Sequence, residues 1–191
     1  MSNLFEGYRV RLRAVEPEDW QVHHAWDAQA PMGRQTDEVW LPNSTLQAQT
    51  WAREQAATGN RGDNIRLQIE ALDSGELVGT LDTHDCDPRN GTFMYGIAIR
   101  PEYQRRGYAR EAIRLLLRYY FNERRYQKVI IDVYSFNTAS IALHESLGFV
   151  QEGRLRRMMY TRGEYFDLLV YGLTREEFDT LHADELPDDP L

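Results

Sequence analysis

From Tyr8 to Arg13 the chain alternates, with Tyr8, Val10 and Leu12 set against Arg9, Arg11 and Arg13. That period of two is the mark of a half-buried strand. Pro17 then opens a helix carrying Trp20 and Trp26, and a second helix is predicted over Thr45 to Thr58. Between them, Pro31 to Asn43 hold two prolines and a glycine among scattered apolar positions, which reads as a loop or a broken helix in a position suited to a substrate lid. Asn43-Ser44-Thr45 fits a glycosylation acceptor, yet with no secretory signal it reads better as the cap of the following helix. Alternation returns at Ile65, Leu67, Ile69 and Ala71, turns at Asp73-Ser74-Gly75, and comes back as an antiparallel partner over Leu77 to Leu81. A second hairpin is expected to loop through HDCDPRNG, His84 to Gly91, before a strand from Thr92 to Ile99 that Pro101 stops.

At Ala109 the period changes. Ala109, Ile113, Leu116, Leu117 and Tyr120 recur at three and four residues while Arg110, Arg114, Arg118 and Arg125 lie mostly outside that stripe, the pattern of an amphipathic helix on a sheet. Val129 to Tyr134 is nearly all apolar, as for an inner strand covered on both faces, and a helix from Thr138 to Leu147 ends at Gly148. Arg154 to Tyr160 and Glu164 to Leu173 bracket a hairpin turn at Thr161-Arg162-Gly163, and Thr174 with Glu177 forms a capping box for a last helix. Strands alternating with helices give an α/β class, with one domain over residues 1–182 and an acidic, flexible tail over 183–191.

Composition narrows the function. A chain of 191 residues, about two fifths apolar, can bury one sizeable core. With 22 Lys and Arg against 30 Asp and Glu the net charge is -8, which disfavours duplex nucleic acid as a partner and suits a cationic or small-molecule substrate. The pairs Arg105-Arg106, Arg124-Arg125 and Arg156-Arg157 are then local features. Cys86 is the single cysteine, so no intrachain disulfide forms and a reducing compartment is expected. No apolar run approaches a membrane span and MSNLFEGYRV lacks a signal-peptide core, so a cytoplasmic location is expected.

The stretch QRRGYAREAIRLLL, Gln104 to Leu117, carries the chemistry. A strand stopped by proline, a tight polar loop and a helix starting at Gly107 to Ala109 would aim unpaired N–H groups at an anion beyond the strand end. Gly107 serves equally well for a turn, with the arginines as a solvated face, and neither reading wins on the local pattern alone. His84 and Cys86 have no second ligand pair at suitable spacing, so no metal is expected. His23 and His24 point to different helix faces, and no G-x-S-x-G elbow exists. Trp20, Trp26, Trp40 and Trp51 could be core or substrate wall, with core the expectation for Trp20 and Trp51.

Gln104-Arg105-Arg106-Gly107-Tyr108-Ala109 resembles the Q/R-x-x-G-x-G/A acyl-CoA pyrophosphate loop of the GNAT acetyltransferases. The resemblance continues through Asn137-Thr138-Ala139-Ser140, LHESLGF (Leu143 to Phe149), Glu152-Gly153 and the G-x-Y-x-D of Gly163 to Asp167. This ordered set is most similar to the ribosomal-protein N-terminal acetyltransferases of the RimJ/RimL type and covers about Phe5 to Phe178. It implies a GNAT fold: a mixed, mostly antiparallel sheet splayed at its middle, with helices on both faces and acetyl-CoA between the strand ending at Ile99 and the strand ending at Tyr134. It also implies that Ile97, Ala98 and Ile99 pair with the pantetheine arm and that Arg105 to Arg110, with Gln104, wrap the pyrophosphate. Asn137 would hydrogen-bond the pantetheine and Ser140 would sit near the sulfur. Read from the residues alone, Asn137 is a helix N-cap and Ser140 a first-turn residue.

Two positions depart from the family pattern. His144 stands where many relatives carry a tyrosine acid, and Met94 where some carry a glutamate that draws water as base. Ser140 and His144, four apart, share a helix face and could together serve the leaving thiolate, unless His144 is a partly exposed helical residue. Asp82, His84 and Asp85 are candidate bases by proximity in sequence. The expected function is acetyl-CoA-dependent N-acetyl transfer to a primary amine, a peptide N-terminus or a small amine, by direct attack in a ternary complex. A silent acyl-CoA sensor and an interaction module recruiting a basic partner through the acidic tail stay open. So does pairing of the Tyr-, Met- and Leu-rich C-terminal hairpin with a second copy.

Overall fold

The computed structural model of the protein describes residues 3–27, 29–36, 39, 41–60 and 62–182. Strands form where apolar residues alternate: β1 (Val10–Arg13), β2 (Arg66–Ala71), β3 (Leu77–Asp87), β4 (Thr92–Ile99), β5 (Lys128–Tyr134), β6 (Val150–Thr161) and β7 (Glu164–Thr174). Helices take the segments of longer period: α1 (Trp20–Asp27), α2 (Ala30–Thr36), α3 (Thr45–Thr58), α4 (Tyr108–Arg118), α5 (Thr138–Ser146) and α6 (Arg175–His182). Their ends follow local chemistry. Ser44 caps α3 in a reciprocal box with Gln47, and the Thr174 main-chain N–H donates to Glu177 at 2.8 Å ahead of α6. Gly148, at φ 92°, supplies the left-handed residue that ends α5.

The sheet runs β1-β2-β3-β4-β5-β7-β6, and of its neighbouring pairs only β4 and β5 are parallel. That parallel ladder has three rungs, Thr92 with Lys128, Phe93 with Val129 and Met94 with Ile130. Beyond it β4 continues to Ile99 on β3 and β5 to Tyr134 on β7 without a further rung between the two, so the expected splay opens at Tyr95. Helices lie on both faces. On one face the turn after α4 stacks Tyr120 on Phe93 at 4.2 Å, and α5 reaches Tyr95 through His144. On the other, His23 of α1 meets Gln68 of β2 at 3.2 Å.

The α4 face holds the core. Ala112, Ile113, Leu115, Leu116 and Leu117 are all buried against Val10, Leu67, Ile69, Leu81, Phe93 and Val129. Each large side chain so buried contributes about 1.5–3 kcal/mol. A π-type turn over Tyr119–Glu123 extends α4, with Arg124 N–H donating to Tyr119 C=O at 3.3 Å, and carries both Tyr120 and Phe121 into that core.

Four expectations are corrected. The predicted loop from His84 to Gly91 is mostly strand: β3 runs on to Asp87 past a bulge, and only residues 88–91 turn. β5 is fully covered on one face only, since Asp132 in its middle is exposed on the other. Of the α1 and α3 tryptophans it is Trp26 that is buried, while Trp20 and Trp51 are half-buried and Trp40 lies outside the described residues. Tyr8 is 70% exposed because β1 begins only at Val10. The broken helix expected between Pro31 and Asn43 is α2, and the acidic tail over 183–191 lies outside the described residues.

Candidate functional site

The splay between β4 and β5 exposes main-chain groups inside the sheet. Arg100 N–H donates to Val78 C=O on β3 at 2.9 Å, and Gly96 and Ala98 stand opposite Asp82 and Thr80 in the same register. By the alternation of a strand, the N–H and C=O groups of Tyr95, Ile97 and Ile99 therefore point the other way, into the gap. Ile97 and Ile99 thus offer a polar edge there, although the Ile99 carbonyl already accepts from Gln104 Nε2 at 3.0 Å. Ala98 differs from its neighbours: its main chain faces β3.

At the wide end of the gap stands the start of α4. Gly107 is its N-cap with φ 86°, a left-handed conformation that glycine adopts without strain. It brings no side-chain cap, and the first main-chain bond of the helix is Glu111 N–H to Gly107 C=O at 3.2 Å. The amides of Tyr108, Ala109 and Arg110 thus precede the helical ladder and face outward with the positive end of the helix dipole. Arg105 is also left-handed, at φ 61°, and exposed. The arginine side chains are partly engaged elsewhere. Arg106 donates to Glu102 C=O at 2.9 Å, and Arg110 binds the Ser146 carbonyl at 3.3 Å, fastening α4 to the end of α5. Tyr108 is buried in the core, so it offers the gap its amide alone. An anion fits this set of amides.

Across the gap, α5 starts at Asn137. Its Oδ1 accepts from Ser140 N–H at 3.2 Å as an N-cap, and its Nδ2 donates to Gln35 C=O of α2 at 3.4 Å. Ser140 Oγ lies 3.2 Å from His144 Nδ1. His144 is buried, not partly exposed, at 3% accessibility, and burial pushes its imidazole pKa down to about 4. The ring is uncharged at neutral pH, and its tautomer follows from its contacts. Nδ1 stands 2.8 Å from the Ser140 carbonyl, which can only accept, so Nδ1 carries the hydrogen. Nε2 is then the acceptor, and Tyr95 OH donates to it at 2.9 Å. Tyr95 is the first β4 residue past the last rung, so this bond ties the two sides of the splay together at its apex. Burial raises the Tyr95 phenol well above its ordinary range, which keeps it a donor.

The opposite face of the sheet, under α1 to α3, carries a different group of residues. Asp82, His84, Met94, Gly96, Ile130 and Asp132 share it by register. His84 Nδ1 lies 3.4 Å from Asp82 Oδ2, and Arg66 Nη2 lies 3.4 Å from Asp82 Oδ1. Asp132 reaches solvent, yet partial desolvation of its carboxyl raises the pKa, opposed by the nearby His84 and reinforced by Asp85. Tyr95 and Asp132 escaped the sequence reading, because only the cross-strand register brings them to the gap. Among the described residues no group of three or more His, Cys, Asp and Glu is placed to hold a metal, and no helix is long and apolar enough to cross a membrane.

A family model described as an acetyltransferase (GNAT) domain matches residues 9–150. The chain is 40% identical over 177 residues to the SPbeta prophage-derived uncharacterized N-acetyltransferase YokL of Bacillus subtilis (strain 168), covering 93% of this chain and 96% of that one. It is 26% identical to the spermidine N(1)-acetyltransferase of Escherichia coli (strain K12) over 83% of this chain and 82% of the relative. Among solved structures, the spermidine N-acetyltransferase from Vibrio cholerae in complex with CoA and spermine superposes with a TM-score of 0.76 at 22% identity, over 88% of this chain and 97% of that one.

Proposed function

The chain belongs to the GNAT acetyltransferases, and from that premise we propose that it transfers the acetyl group of acetyl-CoA to a primary amine by direct attack in a ternary complex. The observation that carries this reading is the combination of a strand edge open to the gap at Ile97 and Ile99 with the outward-facing amides of Tyr108 to Arg110 at the end of the same gap. A ligand with an amide-bearing arm and a pyrophosphate matches both halves. The edge would pair with the arm and hold the thioester carbonyl, and the helix start would take the phosphates through main-chain N–H groups. Gln104, Arg105 and Arg106 shape that loop, Tyr108 and Ala109 let the helix begin close to the sheet, and Ala98 holds the strand to β3.

Acetyl transfer also needs a proton for the departing sulfur. We assign it to Ser140, whose hydroxyl is half-buried at the mouth of the gap, with His144 acting through it. The neutral His144 ring fixes the first turn of α5 by donating to the Ser140 carbonyl. Asn137 holds that turn at its cap and links it to α2, the candidate lid over the acceptor. The motif set similar to the ribosomal-protein subgroup favours a peptide N-terminus, and a polyamine is the competing acceptor among relatives.

Calorimetry of acetyl-CoA with the intact protein and with Gly107→Glu tests the cofactor half. An added Cβ at Gly107 would meet nothing nearer than Arg9 at 3.8 Å, but the φ of 86° strains any other side chain there, so Gly107→Ala is the control: binding lost in folded Gly107→Glu and kept in Gly107→Ala reports the blocked anion site. Release of CoA with a free N-terminal peptide and with spermidine tests the acceptor half. Binding without turnover on either amine would favour a silent acyl-CoA sensor, and no binding at all would remove the reading.

A further inference from the structure

The general base is the part of the reaction that the family pattern leaves blank here, since Met94 occupies the strand position where a glutamate would act. The register shows what stands beside it. His84 on β3 is the direct cross-strand partner of Met94, and Met94 with Ile130 forms the last rung before β4 and β5 part. His84 therefore lies one strand away from the apex of the gap. It is on the face opposite Ser140 and His144, so the two proton-handling groups flank the gap from either side.

Three further observations bear on this histidine. Asp82, two residues back on the same face, holds Nδ1 at 3.4 Å, which places hydrogen on that nitrogen and leaves Nε2 as an acceptor. Directly after His84 the ladder with β4 is interrupted by a bulge, with Asp85 in the left-handed conformation at φ 47°. Bulges of this kind redirect side chains and terminate pairing, and non-glycine residues at positive φ gather at functional sites. Opposite Asp82 the strand carries Gly96, whose missing side chain leaves the carboxylate uncovered: an added Cβ there would come within 3.5 Å of Asp82 Oδ1. The charged groups around the ring are Asp82 and Asp85 on its own strand, Arg66 from β2 through Asp82, and Asp132 from β5 across the gap.

We propose that His84 is the catalytic base of the acetyl transfer, oriented by Asp82, with Asp132 receiving the cationic acceptor. The proposal rests on the acetyltransferase reading above. The substrate arrives as an ammonium ion, attracted by Asp132 and Asp82. Its N–H proton passes to His84 Nε2, giving a neutral amine and an imidazolium that Asp82 stabilises. The amine lone pair forms the C–N bond to the thioester carbon and the C–S bond breaks; the second N–H proton, shed as the nitrogen becomes an amide, passes through the Ser140 hydroxyl to the departing sulfur, so that CoA leaves as the thiol and Ser140 is regenerated. The imidazolium returns its proton to water. An imidazole suits this task because one ring nitrogen can accept the proton while the other stays hydrogen-bonded to Asp82.

The test combines kinetics with a measurement made without acetyl-CoA. With acetyl-CoA and a free N-terminal peptide or spermidine both saturating, so that titration of the free amine does not enter, kcat of the intact protein should rise with pH along an ascending limb. His84→Gln should lower kcat at pH 7 by about 30-fold or more and lose that limb, while acetyl-CoA binding by calorimetry stays within threefold. Asp132→Asn should raise KM for the amine more than it lowers kcat. Long-range proton–nitrogen NMR of the protein alone, with His84 assigned by its loss in His84→Gln, should show hydrogen on Nδ1, and Asp82→Asn should shift that tautomer. If the intact protein turns over while His84→Gln keeps its rate and its ascending limb, the base assignment is overturned and the acetyltransferase reading stands. An Nε2–H tautomer indifferent to Asp82→Asn overturns it as well. If the intact protein acetylates neither amine, the acetyltransferase reading falls and the base falls with it.

Discussion

Buried and neutral, His144 should make the protein sensitive to mild acid in a way that can be isolated. In the unfolded chain an imidazole has an ordinary pKa of about 6.5, and in the folded protein burial pushes that of His144 down to about 4. Between those values the unfolded state binds the extra proton, so stability is intact above about pH 6.5 and is lost as pH falls towards 4. At pH 4.5 the loss amounts to about 2.5 kcal/mol, from a shift of some 2.5 pH units at 1.36 kcal/mol each less the part not yet titrated. Other groups titrate over the same range, including His23, whose pKa is also lowered by burial. The quantity to measure is therefore the difference in unfolding free energy between the intact protein and His144→Gln, by urea denaturation at pH 7.5 and at pH 4.5. The intact protein should be the more stable at pH 7.5, and its advantage should shrink by about 2–3 kcal/mol at pH 4.5. An advantage equal at the two pH values would refute the claim that this ring is held neutral.

Four other outcomes follow from named contacts. The buried Glu111 carboxylate accepts from the main-chain N–H groups of Tyr8 at 3.0 Å, Arg9 at 2.7 Å and Val10 at 2.8 Å, so Glu111→Ala should cost about 3 kcal/mol in urea denaturation. Gly7→Ala should destabilise through the same latch, because its Cβ would fall 2.5 Å from Glu111 Cδ; an unchanged midpoint would contradict it. Ser140→Ala should lower kcat by about 100-fold with KM for acetyl-CoA within threefold, and a rate within twofold of the intact protein would remove Ser140 from the chemistry. Tyr95→Phe should cost about 1–3 kcal/mol by leaving His144 Nε2 without its donor, read as a lowered denaturation midpoint.

Much of the fold is written in periodicity and punctuation. β4 is bounded as Thr92 and Pro101 predict, α3 spans Thr45–Thr58, and Gly148 ends α5 because those signals are local. The loop expected at His84 to Gly91 was read from its polar residues, yet β3 continues because pairing with β4 outweighs the weak strand preference of Asp and His there. The same limit governs the site. Gly107, Asn137 and Ser140 sit in contiguous motifs and are visible in the sequence. Tyr95 and Asp132 are not, because their positions at the gap depend on which strands pair and where the pairing stops. The burial of His144 was equally hidden, since its cover comes from Tyr95 on β4 and from Phe149, whose ring lies 5.2 Å away.

The three-rung ladder between β4 and β5 has a consequence of its own. Edges of sheets normally lie at the rim, where an unpaired strand invites other chains; here half of β4 is an edge in the interior, so the sheet is in effect short of one strand. A ligand lying along Ile97 and Ile99 would supply it, extending the main-chain link between β1 to β4 and β5 to β7 beyond its three rungs. Binding would then be part of the architecture: the small molecule would serve as the eighth strand, and the protein would be most completely folded when ready to react.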